Sequence, residues 1–167
     1  MGPVQRDHTR GDVVERLIAL LRQAATRGAQ LVVYPELALT TFFPRWFVDD
    51  ISEADHWYER SMPNEATQPL FDEAARLGIG FCLGYALLGD DGRRWNVQTL
   101  VERDGSVVAT YKKTHIPGHE HHEPGRPFQH AERYYFEPSP EGFGVWQAFG
   151  ARVGMMICND RRWPESY

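Results

Sequence analysis

The sequence lacks any long apolar run. A membrane-spanning helix needs about 20 predominantly apolar residues, and no segment of the chain approaches that length. The opening residues, MGPVQRDHTRGD, also have no apolar centre of the kind that a secretory signal carries. We therefore expect a cytoplasmic protein that has no membrane partner.

Positive charge is scarce as well. The chain has 18 lysines and arginines against 23 aspartates and glutamates, which gives a formal net charge of -5. The basic residues occur in pairs and form no extended stripe, so the chain has no footprint for nucleic acid. A composition that is 42% hydrophobic over 167 residues is typical of one globular domain. We expect a small-molecule ligand.

Cysteine is the third scarce residue, since only Cys82 and Cys158 are present. A chain without an export signal favours reduced thiols over a disulfide. Cys82 lies in the apolar run GFCLGY, whereas Cys158 directly precedes the charged residues of NDRR. We therefore expect Cys158 to be free to react.

Apolar spacing predicts two helices and a buried strand in the first half of the chain. Apolar residues recur at helical spacing over 12–25, and Gly28 is a stop signal just past the last turn. The run LVVY (31–34) is too short for a helix, so it predicts a buried strand that ends at Pro35. A second helix is predicted over 66–77.

Two Asp-Gly turn signals flank WNVQTLVER and indicate a three-stranded antiparallel meander over 79–112. Residues 114–143 then hold five histidines and five prolines, and long irregular loops of this kind usually line sites. Apolar residues on either side of Gly150 predict a final hairpin, whose last strand we expect to be buried and to end at Cys158.

Three reactive side chains follow the ends of three predicted strands: Glu36, Lys113 and Cys158. In open α/β sheets this edge holds distant residues close together and binds ligands. A cysteine attacks as its thiolate, so it needs a neighbouring base or cation, and Glu36 and Lys113 are suited to those tasks. Taken singly, each also has a plain structural interpretation, as a surface carboxylate, a solvated lysine and a small core residue.

The segments LVVYPELALTTFFPRW, YKKTHIPGH and GMMICNDRRWPE resemble, in order, the glutamate, lysine and cysteine motifs of the nitrilase (carbon–nitrogen hydrolase) superfamily. The stretches GIGFCLGYA and RPFQHAERYYFEP make the chain similar to its N-carbamoyl-D-amino acid amidohydrolase branch. The resemblance runs from about residue 12 to residue 167. It implies an α/β fold, the α-β-β-α sandwich, of which this chain holds the N-terminal portion.

The resemblance also implies catalytic roles. Cys158 is expected to be the nucleophile, Glu36 the general base and later acid, and Lys113 the cation that faces the tetrahedral intermediate. Glu132 falls where related enzymes have a second glutamate, although an ordinary solvated loop carboxylate remains the alternative. The backbone N–H of Asn159 is expected to donate to the oxyanion, unless this residue only caps the turn.

The implied substrates are N-carbamoyl-D-amino acids, which are cleaved to the D-amino acid, ammonia and carbon dioxide. Guanidinium groups bind carboxylates in a forked geometry, so Arg161 and Arg162 are expected to hold the substrate carboxylate. The resemblance adds His115 and His130 as substrate contacts. The plainer interpretation of the arginine pair is a solvated turn, or pairing with the acidic residues on either side.

The histidine-rich stretch HIPGHEHH (115–122) raises a rival hypothesis, a zinc-dependent hydrolase. Pro117 and Gly118 break any helical register, no His-Glu-x-x-His helix is present, and the resembled family uses no metal. We therefore expect neither a metal nor another cofactor.

Members of the resembled family are longer than this chain. We interpret residues 1–167 as a single but incomplete domain, in which MGPVQRDHTR replaces a first strand and the C-terminal half is missing. Full-length relatives are expected to be homo-oligomers. Two alternatives remain open: another aliphatic amidase or N-carbamoyl hydrolase of the superfamily, and a fragment without catalysis.

Overall fold

The computed structural model describes residues 4–167. Its regular elements, in chain order, are α1 (Arg10–Thr26), β1 (Leu31–Val33), α2 (Gln68–Leu77), β2 (Gly80–Leu88), β3 (Arg94–Val101), β4 (Val107–Lys112), α3 (Glu132–Tyr135), β5 (Val145–Ala148) and β6 (Ala151–Gly154). Four 3₁₀ helices occupy the connections: Phe43–Arg45, Ile51–Trp57, Cys158–Arg162 and Pro164–Ser166. None of the helices formed by residues 4–167 has the length and apolarity that a membrane crossing requires.

The two predicted helices are present, with ends that differ by about two residues. Thr9 and Asp12 form a reciprocal capping box, which satisfies free N–H groups at the start of α1. Gly78 ends α2 in the left-handed conformation that glycine adopts without strain. The buried face of α1, which includes Leu17 and Leu21, packs with α2 and one face of the sheet in the largest core cluster.

The meander is confirmed as β2, β3 and β4, paired antiparallel in a four-stranded sheet of order β1-β2-β3-β4. β1 pairs with β2 in parallel. β2 and β3 are buried along almost their whole length, because core clusters cover both faces of the sheet. This burial fixes the positions of Asn96 in β3 and of Lys113, which directly follows β4.

Two strands differ from the sequence-based expectation of burial. β1 is an edge strand among residues 4–167, and Val33 is 66% exposed. β6 belongs to a separate two-stranded sheet, is largely exposed, and ends at Gly154. Cys158 therefore does not end a buried strand but begins a 3₁₀ helix. The apolar residues of β1 and β6 predicted that both strands are buried. Burial also requires a second layer of structure packed against the strand, and the local sequence does not specify that layer.

The loop after β1 is held directly against β2. The N–H of Ala38 donates to the carbonyl of Gly84 at 2.7 Å. An added Cβ on Gly84 would lie 2.7 Å from the carbonyl oxygen of Pro35 and 3.0 Å from Cα of Glu36. The absence of a side chain at Gly84 therefore sets the position of Glu36.

We predict that Gly84→Ala lowers the free energy of unfolding by about 1–3 kcal/mol, because the new methyl group must displace the backbone around Glu36. Urea denaturation measures the change. Gly11→Ala in α1 is the matched control: the nearest atom to its added Cβ is 3.7 Å away, and we expect a gain of about 0.5–1 kcal/mol. Equal effects of the two substitutions would contradict this account of the loop.

Candidate active site

The structure brings Glu36, Lys113 and Glu132 together around one buried ammonium group. Nζ of Lys113 donates to Oε1 of Glu36 and to Oε2 of Glu132, both at 2.6 Å. The Lys113 side chain is 0% exposed and that of Glu132 is 2% exposed. Glu132, the first residue of α3, is thus no solvated loop carboxylate. Residues that are distant in sequence meet here because β1, β4 and α3 end or begin at the same place.

Asn96 joins this cluster, although the sequence did not single it out. It is fully buried in β3, and its Nδ2 donates to Oε1 of Glu36 at 2.7 Å. Glu36 is therefore oriented by both Asn96 and Lys113. A polar amide inside a strand whose other residues are buried was the available signal, but a strand pattern does not show which loop the amide faces.

Cys158 adopts a backbone conformation that is unusual for a residue with a side chain. Its φ is 46°, in the left-handed region, where such residues carry strain that often marks a functional site. The Cys158 side chain interacts with that of Glu36, and its charge environment includes Lys113 and Glu132. The structure thus places the exposed Cys158 beside the buried cluster.

The pKa values in the cluster follow from burial and charge. Burial alone would lower the pKa of Lys113, but the charges of Glu36 and Glu132 outweigh it and raise this pKa above its ordinary value. Burial, followed by the charge of Glu36, raises the pKa of the Cys158 thiol, and Lys113 lowers it only in part. A thiol with a raised pKa keeps its proton at neutral pH and needs a base beside it to act as a nucleophile.

Asp160 holds the turn that carries Cys158. Its carboxylate is fully buried and accepts hydrogen bonds from the Tyr111 hydroxyl at 2.8 Å and the Ile157 N–H at 2.9 Å. It also accepts from the backbone N–H of His115 at 2.9 Å, and the His115 ring nitrogen Nδ1 lies 3.1 Å away. The sequence offered Asp160 only as a pairing partner for the arginines, because its burial depends on contacts with β4.

The two histidines expected to contact substrate are placed differently. His130 is 53% exposed, and its Nε2 lies 3.1 Å from Oε1 of Glu132, which puts it at the rim of the cluster. His115 has Nδ1 near Asp160 and Nε2 near Glu165, both at 3.1 Å. A substrate contact through either ring nitrogen of His115 therefore requires one of these interactions to break.

The residues that follow Cys158 are mostly turned toward solvent. Arg161 and Arg162 are exposed, and Nη1 of Arg161 donates to the carbonyl of Cys158 at 2.9 Å. The Asn159 side chain donates to the carbonyl of His115 at 3.4 Å. The exposure of both arginines agrees with the plainer interpretation of a solvated turn, and Arg161 binds this carbonyl instead of a neighbouring carboxylate.

The histidine-rich stretch has structural contacts of its own. Nδ1 of His119 donates to the carbonyl of His121 at 2.7 Å, and its Nε2 accepts from the N–H of His130 at 2.9 Å. His122 stacks on Phe47 with 5.0 Å between ring centroids. Within residues 4–167 no group of three or more histidine, cysteine or acidic side chains is arranged to hold a metal ion.

Comparisons with known proteins identify the family of the chain. Residues 3–167 match the family described as carbon–nitrogen hydrolase. The chain is 29% identical to the omega-amidase NIT2 of Homo sapiens, over 97% of this chain and 54% of that protein. It is 27% identical to the N-carbamoylputrescine amidase of Arabidopsis thaliana, over 88% of this chain and 45% of that protein. The chain thus spans about half the length of these curated relatives.

The fold has a counterpart among solved structures. The crystal structure of a carbon–nitrogen hydrolase from Helicobacter pylori G27 superposes with a TM-score of 0.77 at 23% identity. The match covers 98% of this chain and 52% of that one. The expected α/β fold is therefore confirmed.

We predict that Glu36→Gln lowers the pKa of Cys158, because the charge that raises this pKa is removed while Lys113 remains. Each unit of decrease raises the thiolate fraction at neutral pH about tenfold, and the lower nucleophilicity of a weaker base reduces the gain in alkylation rate to about threefold. The measurement is the rate of iodoacetamide modification between pH 6 and about pH 9.

Cys158→Ala is the control for this experiment, since it should abolish the fast modification. The remaining Cys82 is buried, and burial raises its pKa to about 11. Alkylation of Glu36→Gln at the wild-type rate, or more slowly, would contradict the proposed charge coupling.

We also predict that Asp160→Asn lowers the free energy of unfolding by about 3 kcal/mol, because the new amide places N–H groups against groups that are themselves donors. Tyr111→Phe removes only one of these bonds, and we expect it to cost about 1–2 kcal/mol. Urea denaturation of both variants measures the two losses in the free energy of unfolding and shows which is larger. A smaller loss for Asp160→Asn than for Tyr111→Phe would show that Asp160 does not hold the turn.

Proposed function

The chain belongs to the carbon–nitrogen hydrolase family, and on this premise we propose that Cys158 attacks the carbonyl carbon of a carbamoyl or amide group in a small molecule. One observation carries the proposal: Cys158 lies beside Glu36 and Lys113 in a cluster that also contains the buried Glu132. The raised pKa of the thiol calls for a base at this place, and Glu36 occupies it.

The proposed reaction begins when Glu36 takes the thiol proton and the sulfur forms a bond to the carbonyl carbon. The negative charge that develops on the carbonyl oxygen is stabilised by the ammonium group of Lys113 and by the backbone N–H of Asn159. Collapse of the tetrahedral intermediate breaks the carbon–nitrogen bond, and Glu36 returns the proton to the departing ammonia. Glu132 holds Lys113 in place throughout.

The second half of the proposed reaction removes the acyl group from sulfur. Glu36 takes a proton from water, and the hydroxide oxygen adds to the same carbonyl carbon. Cys158 leaves and regains a proton from Glu36. A carbamoyl substrate yields a carbamic acid, which loses carbon dioxide and leaves the free amine.

The preferred substrates that we propose are N-carbamoyl-D-amino acids. The motif ICNDRRWPE and the stretch RPFQHAERYYFEP support this class, and the preference for the D-configuration rests on that resemblance alone. Arg161 and Arg162 are exposed just beyond Cys158, where they can bind an α-carboxylate. His130 at the rim is a further proposed contact, and His115 becomes one when it releases the exposed Glu165.

A second candidate is hydrolysis of an aliphatic amide. The relative named an omega-amidase favours it, since its identity to this chain is similar to that of the relative named for a carbamoyl substrate. The same residues, Cys158, Glu36, Lys113, Asn159 and Glu132, would serve both reactions, because the attacked carbonyl and the leaving ammonia are common to them.

We predict that the purified chain releases ammonia and a free D-amino acid in equal amounts from an N-carbamoyl-D-amino acid. Cys158→Ala should lower the rate at least about a thousandfold, because it removes the nucleophile. The L-isomer and a simple aliphatic amide, assayed in parallel, separate the candidate substrate classes.

Three outcomes would count against the proposal. Equal ammonia release by the wild type and Cys158→Ala would exclude catalysis through this thiol. Activity that a chelator abolishes and iodoacetamide leaves intact would indicate a metal-dependent reaction. No ammonia from any of these substrates would favour a chain that does not catalyse by itself.

A further inference from the structure

A cavity of about 500 Å³ opens beside Glu36. Its wall runs from Glu36 through Thr40 to Arg45, and Arg6 closes another side. The volume lies within the range of pockets that hold small molecules. Because Glu36 both lines this cavity and interacts with Cys158, a substrate attacked by the thiol can extend into it.

Two buried polar atoms in the cavity wall have no hydrogen-bond partner. The hydroxyl oxygen of Thr40 and Nε of Arg45 are both buried without a partner in the part of the chain that the structure describes. Thr40 as a whole is only 8% exposed. An unsatisfied buried donor costs free energy, so two of them in one cavity indicate a site that an acceptor completes.

The charged groups of this cavity favour an anion. The guanidinium carbons of Arg6 and Arg45 lie 5.2 Å and 5.3 Å from the ring of Trp46. Within residues 4–167 neither guanidinium group has a carboxylate partner. The carboxylate of Glu36 is the acidic group in the cavity wall, and it shares Lys113 with Glu132 at 2.6 Å each. Two guanidinium groups against the one carboxylate of Glu36 leave the cavity wall with a net positive charge.

We propose that this cavity binds a carboxylate carried by the side chain of the substrate, with Arg45 and Arg6 as its cationic partners and the Thr40 hydroxyl as a further donor. The inference rests on the proposed function and narrows it to N-carbamoyl amino acids with acidic side chains. A carboxylate has only acceptor atoms when ionised, so it satisfies the Thr40 hydroxyl and Nε of Arg45 together.

The aromatic contacts explain why Arg45 suits this task. Its guanidinium carbon lies 4.0 Å from the ring centre of Phe128, as well as near Trp46. Stacking on aromatic rings holds a guanidinium group in place without using its N–H donors. Arg45 is thus oriented before a ligand arrives, and less free energy is lost when the ligand binds.

The same charges should exclude cations. An ammonium group in the cavity would meet two guanidinium groups and find only the carboxylate of Glu36, which already binds Lys113. N-carbamoylputrescine ends in such a group, and we therefore expect this chain to disfavour it even though a relative is named for that substrate.

The test compares three substrates that share a three-carbon side chain: N-carbamoyl-D-glutamate, N-carbamoyl-D-norvaline and N-carbamoyl-D-ornithine. We expect kcat/KM to be highest for the glutamate derivative and lowest for the ornithine derivative. Arg45→Gln should lower kcat/KM for the glutamate derivative by about tenfold to a hundredfold, chiefly through KM, and far less for norvaline. Arg45→Lys, which keeps the charge, should retain an intermediate preference.

Arg152→Gln is the matched control, because Arg152 is exposed on β6 and does not line the cavity. It should leave kcat/KM unchanged for all three substrates. Equal turnover of the glutamate and norvaline derivatives by the wild type would overturn the inference while the proposed function stands. The inference would also be overturned if Arg45→Gln lowered kcat/KM equally for the glutamate and norvaline derivatives.

Calorimetric titration of the Cys158→Ala variant separates binding from catalysis. Preferential binding of N-carbamoyl-D-glutamate, lost when Arg45→Gln is added, would support the cavity even if the wild type releases no ammonia and the proposed function fails. Equal binding of the glutamate and norvaline derivatives, or binding of neither, would overturn the inference.

Discussion

The buried ammonium group of Lys113 is the constraint on which the rest of the site depends. A charge that is removed from water must be compensated, and Glu36 and Glu132 do so at 2.6 Å each. The loop after β1, the end of β4 and the start of α3 are thereby joined at one point. The ion pairs that compensate for the burial of Lys113 also hold Glu36 and Glu132 in place. A change that separates these side chains would leave a buried charge unpaired and lower the stability of the fold.

Two carboxylates, those of Glu36 and Asp160, act on Cys158 in different ways. Glu36 adds to the effect of burial in raising the pKa of the thiol, whereas Asp160 binds the backbone and side chains around the turn. The four interactions of Asp160 compensate for the left-handed conformation at Cys158. The half-buried Glu36 thus acts on the proton of the thiol, whereas the buried Asp160 acts on the position of Cys158.

Local signals in the sequence predicted α1, α2 and the meander, because capping residues, apolar spacing and turn pairs act over a few positions. They also pointed to Glu36, Lys113 and Cys158 as residues near strand ends. The partners Asn96 and Asp160 were not predicted, since a buried polar residue is defined by what folds against it. For the same reason, the exposure of β1 and the early end of β6 followed from the layers around them and not from their own apolar residues.

The cavity and the buried cluster share Glu36, and backbone hydrogen bonds join the segments around them. The N–H of Gln129 donates to the carbonyl of Arg45 at 2.8 Å, and the N–H of Ala131 donates to that of Pro44 at 2.9 Å. Ala131 directly precedes Glu132, which holds Lys113. The backbone of the segment that carries Arg45 is therefore tied to the segment that carries Glu132. The group that we propose to bind the substrate side chain and the group that orients Lys113 are thus held by one hydrogen-bonded scaffold.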